Sequence, residues 1–152
     1  MTKSLLSLMC ITIFLTGGRY PLYTLSGQLW EPVETKTYLA MYYNSNNCHE
    51  CVDELWTYIS NTCFRDSSYI PLIIAMPSDI AHMRQETSYL TERFGDDITI
   101  VYDNPPNPKD SFFHKKKIKA FPCLLVIRNG NPPKYYSYRE LFASRKTPLQ
   151  GK

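Results

Sequence analysis

Charge of one sign is scarce in this chain of 152 residues: 17 Lys and Arg stand against 14 Asp and Glu, a net charge of +3. So small a surplus gives no electrostatic footprint for nucleic acid or an anionic membrane. Cysteine is sparse too, with 5 in all, too few in a chain this long for a disulfide framework. No internal repeat or low-complexity tract is present, which argues against repeat arrays and disordered tails. What remains is ordinary for a globular protein, with 43% hydrophobic and 20% charged residues. The length fits one domain able to bury a core. Composition therefore gives a class and no function.

The first eighteen residues, MTKSLLSLMCITIFLTGG, differ from the rest. Lys3 supplies a positive start, residues 5–15 are apolar and uncharged, and Thr16, Gly17 and Gly18 are small. The apolar run is well short of the about 20 residues that cross a bilayer. This is the layout of a secretory signal over 1–18, followed by one domain over 19–152. The alternative is a buried N-terminal helix or strand. Cys10 lies inside the run and not at its end, unlike the cysteine of a lipoprotein signal. Cleaved or kept as an anchor, such a leader predicts an exported, periplasmic or other extracytoplasmic protein.

Beyond the leader, residues 37–43 (TYLAMYY) are β-branched and aromatic with almost no polar interruption, as in a central strand of a parallel sheet. Turn formers at 44–47 follow, then the pair Cys48-His49-Glu50-Cys51, and then Cys51, Leu55, Trp56 and Ile59 at helical spacing. Residues 70–76 read as a second strand, with Pro71 at an irregular entry. Ser78 and Asp79 start a helix that runs to Phe94 and stops at Gly95. Residues 97–102 read as a third strand. Pro105, Pro106 and Pro108 make 103–108 irregular, and a short helix fits 109–117. Residues 123–127 and 134–138 flank Asn129-Gly130 as a hairpin. Strands alternating with helices and closing in a hairpin predict an α/β sandwich with a mixed sheet.

A cysteine where a strand hands over to a helix has a chemical consequence. Helix N-termini carry partial positive charge and unpaired N–H groups, which stabilise a thiolate. Thiolate is the attacking species in disulfide exchange, so Cys48 suits the nucleophile and Cys51, one turn on, suits the resolving thiol. His49, if charged, would favour the thiolate, whereas the Glu50 carboxylate opposes it, so these two residues tune the couple in opposite directions.

The arrangement resembles the thioredoxin superfamily, and within it the exported TlpA/ResA-like thiol–disulfide oxidoreductases, over about residues 20–138. The resemblance is carried by CHEC at 48–51 after a buried strand, by Glu54 in C-x-x-C-x-x-E, and by Ala120-Phe121-Pro122 ahead of CLLVIRNG. The helix and strand over 78–102 resemble the TlpA-type insertion. The resemblance implies a three-layer sandwich and exchange of disulfides with protein thiols, more often as a reductase fed by a membrane-bound electron donor. It implies no cofactor beyond the Cys48–Cys51 disulfide, no metal and no nucleic acid. Glu54 would assist proton transfer from below the thiols. Pro122 would be cis, the bond type that tolerates this isomer most cheaply, leaving the Phe121 backbone to pair with an extended substrate. Asn47, where an aromatic is usual, and Cys123, where Thr or Ser is usual, depart from the pattern. Tyr42 stands where small thioredoxins keep a buried Asp.

Other readings stay open. The pair could be a static disulfide in a redox-inactive binding module of the same fold. Peroxide reduction needs a proline where Met41 stands, and zinc lacks a second knuckle. Cys63 and Cys123 read as core residues, His82 and His114 as surface residues, and 114–117 as a solvated basic helix end.

Overall fold

The computed structural model describes residues 21–76, 80–115 and 117–143. The leader over 1–18 and the helix-start residues Ser78 and Asp79 lie outside them. Strands β1 (Leu22–Tyr23) and β2 (Leu29–Trp30) form a small hairpin. Then come β3 (Thr37–Tyr43), α1 (His49–Arg65), β4 (Tyr69–Ala75), α2 (Ile80–Phe94) and β5 (Thr99–Tyr102). A 3-10 turn at Pro108–Asp110 leads to α3 (Phe112–Lys115), and β6 (Cys123–Arg128), β7 (Lys134–Ser137) and α4 (Tyr138–Phe142) close the fold.

One sheet of seven strands runs in the order β2-β1-β5-β4-β3-β6-β7. β3, β4 and β5 are parallel, while β6 lies antiparallel on the other side of β3. All seven residues of β3 are buried, because both faces of the sheet are covered. The strand alternates between two cores. Tyr38, Ala40 and Tyr42 face Phe112 and Ile118. Leu39, Met41 and Tyr43 face Val52, Leu55 and Ile59 of α1 and Met83 and Leu90 of α2. Both long helices share that second face because successive right-handed crossovers step the same way, from β3 to β4 to β5. The result is the expected three-layer α/β sandwich.

Details of the chain follow local chemistry. β5 pairs with β4 only from Leu72 onward, so the stretch holding Pro71 has an open edge. α2 ends at Gly95, whose φ of +109° suits glycine and whose N–H donates to Thr91 O at 2.9 Å. Tyr138, expected to end a strand, begins α4 instead. Ser137 and Glu140 form a reciprocal capping box there, and those paired bonds override the strand preference of the tyrosines before it. Among the described residues no helix is long and apolar enough to cross a membrane.

Candidate functional site

Cys48 is the N-cap of α1. Its backbone is non-helical (φ −58°, ψ 120°), and its Sγ accepts from the Cys51 N–H at 3.5 Å. The turn before it is set by Asn44, whose Oδ1 accepts from the Asn46 N–H at 3.0 Å and whose carbonyl accepts from the Asn47 N–H at 3.0 Å. Cys48 is exposed and Cys51 half-buried. The Cys51 thiol and the N–H groups of Cys51 and Glu50 hold the Cys48 thiol below its ordinary range, with the Glu50 carboxylate acting against them. Cys51 moves up, because its thiol is the donor to Cys48 and because it is partly desolvated. The pair is thus split into one thiol that ionises readily and one that keeps its proton.

Three polar neighbours follow on α1. His49 is exposed, and its Nδ1 faces an Arg93 N–H at 3.2 Å. Asp53, one turn on, is ion-paired to Arg93 at 2.6 Å. Glu54 is exposed and accepts a short hydrogen bond from the Tyr138 hydroxyl. That bond, desolvation and the nearby charges of Glu54, Cys51 and Cys48 all push Tyr138 up. The Phe121–Pro122 peptide is cis. In the β3–β6 register Cys123 lies opposite Tyr42, so the Phe121–Pro122 loop stands beside the strand end that leads to the cysteines. The Phe121 ring packs on Tyr42 and stacks on Phe113, with centroids 5.2 and 5.9 Å away.

The same architecture recurs in solved structures. A secreted disulfide oxidoreductase of Mycobacterium tuberculosis, homologous to E. coli DsbE, matches with a TM-score of 0.52 and 14% identity over 78% of this chain and 82% of that one. The exposed lipoprotein thioredoxin of Streptococcus pneumoniae gives 0.53 and 14% over 78% and 87%. StoA of Bacillus subtilis gives 0.52 and 14% over 80% and 92%. The fold is thioredoxin-like. No family model matches the chain, and no curated protein resembles it in sequence. Identities of this size carry the fold and not the activity.

Within this thioredoxin-like frame a buried acid, Asp103, follows directly after β5. Tyr42 donates its hydroxyl hydrogen to Asp103 Oδ2 at 2.5 Å, just past the end of β5. The Phe113 N–H donates to the same oxygen at 3.3 Å, and among the described residues Oδ1 has no hydrogen-bond partner. Asp103 is only 4% exposed. Burial raises its pKa against those bonds. Cys123 is fully buried beside Tyr42 and pushed up to about 12 by burial, and Cys63 is pushed up to about 11 in the same way. Cys123 is a core thiol, and Cys63 packs half-buried against the core.

Arg93, Tyr138 and Asp103 escaped sequence reasoning. Each comes from an element distant in the chain, and only Arg93 leaves a local trace, as the second member of a Tyr89–Arg93 pair one turn apart. A groove of about 720 Å³ near Tyr58, Thr62, Val126 and Pro133 lies toward the other end of α1 and takes no part in the site.

Proposed function

We propose that the chain is a thiol–disulfide oxidoreductase acting on protein substrates. Cys48 thiolate attacks one sulfur of a substrate disulfide, forming a mixed disulfide and releasing the first substrate thiolate. Cys51 gives up its proton and attacks the Cys48 sulfur, closing the Cys48–Cys51 disulfide and releasing the second substrate thiolate. Two electrons pass to the substrate, and its two thiolates take up protons. A dithiol donor then reduces the Cys48–Cys51 disulfide. The observation that carries this reading is the N-cap position of Cys48, with helix N–H groups directed at its sulfur and a protonated partner thiol one turn away. Such placement lowers the pKa of a nucleophilic cysteine.

Glu54 and Tyr138 form the route by which the Cys51 proton leaves. The cis Phe121–Pro122 segment offers its backbone to an extended substrate strand. Glu50 restrains the thiolate. The direction is reduction outside the cytoplasm, in keeping with the leader-like start of the sequence and with two structural neighbours named as secreted and as exposed.

Insulin reduction by the wild-type chain and by Cys48→Ser, with dithiothreitol as donor, tests the reading. The wild type should exceed the variant clearly. Equal background rates in both would leave a binding module of the same fold.

A further inference from the structure

Arg93, in the last turn of α2, reaches across to the first two turns of α1. Its guanidinium makes five polar contacts. One N–H donates to His49 Nδ1 at 3.2 Å and another to the His49 carbonyl at 3.4 Å. Two more go to Asp53 Oδ1, at 2.6 and 3.1 Å. The last is a short bond to the Tyr89 hydroxyl. The cation also lies over the Tyr89 and Phe94 rings, 5.6 and 5.4 Å from their centroids. The Arg93 side chain is only 19% exposed, so the fork is held by packing as well as by bonds.

His49 and Asp53 stand one helical turn apart, so they share a face, and a single rigid fork spans both. Guanidinium N–H groups only donate. The His49 Nδ1 lone pair therefore accepts, and the ring proton sits on Nε2. His49 is thus engaged as an acceptor and does not offer its Nδ1–H to the thiolate. The N–H groups that hold Cys48 Sγ belong to Glu50 and Cys51, inside the turn that Arg93 pins. A frayed first turn would lose those donors, since helix ends open most easily.

We infer that Arg93 is a positioning residue for the redox pair, locking the first turn of α1 to α2 so that its N–H groups stay aimed at the Cys48 sulfur. The inference deepens the thiol-exchange reading and rests on it for its purpose. Fixing the donors favours the reduced, ionised form and makes the couple more oxidising. Lysine keeps the charge but has no planar fork, so it cannot hold His49 and Asp53 together.

The test is iodoacetamide alkylation of Cys48 in the full chain carrying Cys51→Ser, at a pH where the thiol is partly ionised. Arg93→Lys and Arg93→Met should each slow alkylation by roughly threefold, the scale of one partly exposed ionic contact. With both cysteines present, the equilibrium constant with glutathione should fall in the same direction. His49→Ala should slow alkylation as well, and combined with Arg93→Lys it should cost less than the product of the two. Unchanged alkylation in an Arg93→Lys chain that folds, or strictly multiplicative effects, would overturn the clamp. A purely structural Arg93 lowers the melting temperature and leaves alkylation alone. Failure of the wild type to reduce insulin would sink the exchange reading, while alkylation would still decide the clamp.

Discussion

Tyr42 and Asp103 are the clearest case of a contact assembled by single residues from distant parts of the chain. The folded chain binds the Asp103 proton more tightly than the unfolded chain, because burial outweighs the bonds that pull the other way. Its stabilising contribution is therefore complete below the ordinary value of 3.8 and lost as pH rises through the folded value. Asp103→Asn removes that dependence. Urea unfolding should find the variant gaining on the wild type as pH rises through the acid range, then levelling; a flat difference would contradict this. Tyr42→Phe leaves the carboxylate buried with one donor fewer and should cost about 1–3 kcal/mol. The thiols make a second residue-scale prediction. In the reduced, folded chain, iodoacetamide should label Cys48 well before Cys63 or Cys123, as mass spectrometry of labelled peptides can establish. Glu54→Gln should slow insulin reduction by about tenfold, below the usual 10²–10⁴ for a positioned acid or base, since water reaches this exposed carboxylate. The Cys48–Cys51 spacing was legible in sequence because exchange needs both thiols within one turn. Asp103 was not, since nothing local distinguishes it from a solvated turn residue after β5.

At the scale of elements, α1 is held by its apolar stripe. Val52, Leu55 and Ile59 are at most 1% exposed. Leu55→Ala should cost about 2–5 kcal/mol in chemical denaturation, the range for truncating a buried leucine. Asp53→Asn, which removes an ion pair whose aspartate is 59% exposed, should cost under about 1 kcal/mol. A reversed ranking would mean that α1 is anchored by charge. The 3.6-residue period made this helix readable through Ile59, and it continues to Arg65 because no glycine or proline stops it. α4 was missed for the opposite reason. Its five residues are too few to establish a period, and only the Ser137–Glu140 capping box defines it.

For the whole molecule, stability should be graded across the sheet. β3 is paired on both sides along almost its full length, whereas β1 and β2 are two residues each at the far edge. Native-state hydrogen exchange should therefore find Leu39–Tyr43, Leu72–Ala75 and Leu124–Ile127 opening only with global unfolding, and Leu22 and Tyr23 opening locally. Equal protection at β1 would contradict this gradient. The sequence by itself determined the layered α/β class, the central strand, the cysteine pair at a helix start and the hairpin after Pro122. These follow from periodicity, turn chemistry and the helix dipole, all of which act over a few residues. Only the tertiary structure decided that Tyr42 bonds the buried Asp103, that Glu54 bonds Tyr138, and that Arg93 grips His49. Those contacts join residues 44 to 84 positions apart, and which of them meet is fixed by the order and register of the strands and by how α1 and α2 pack.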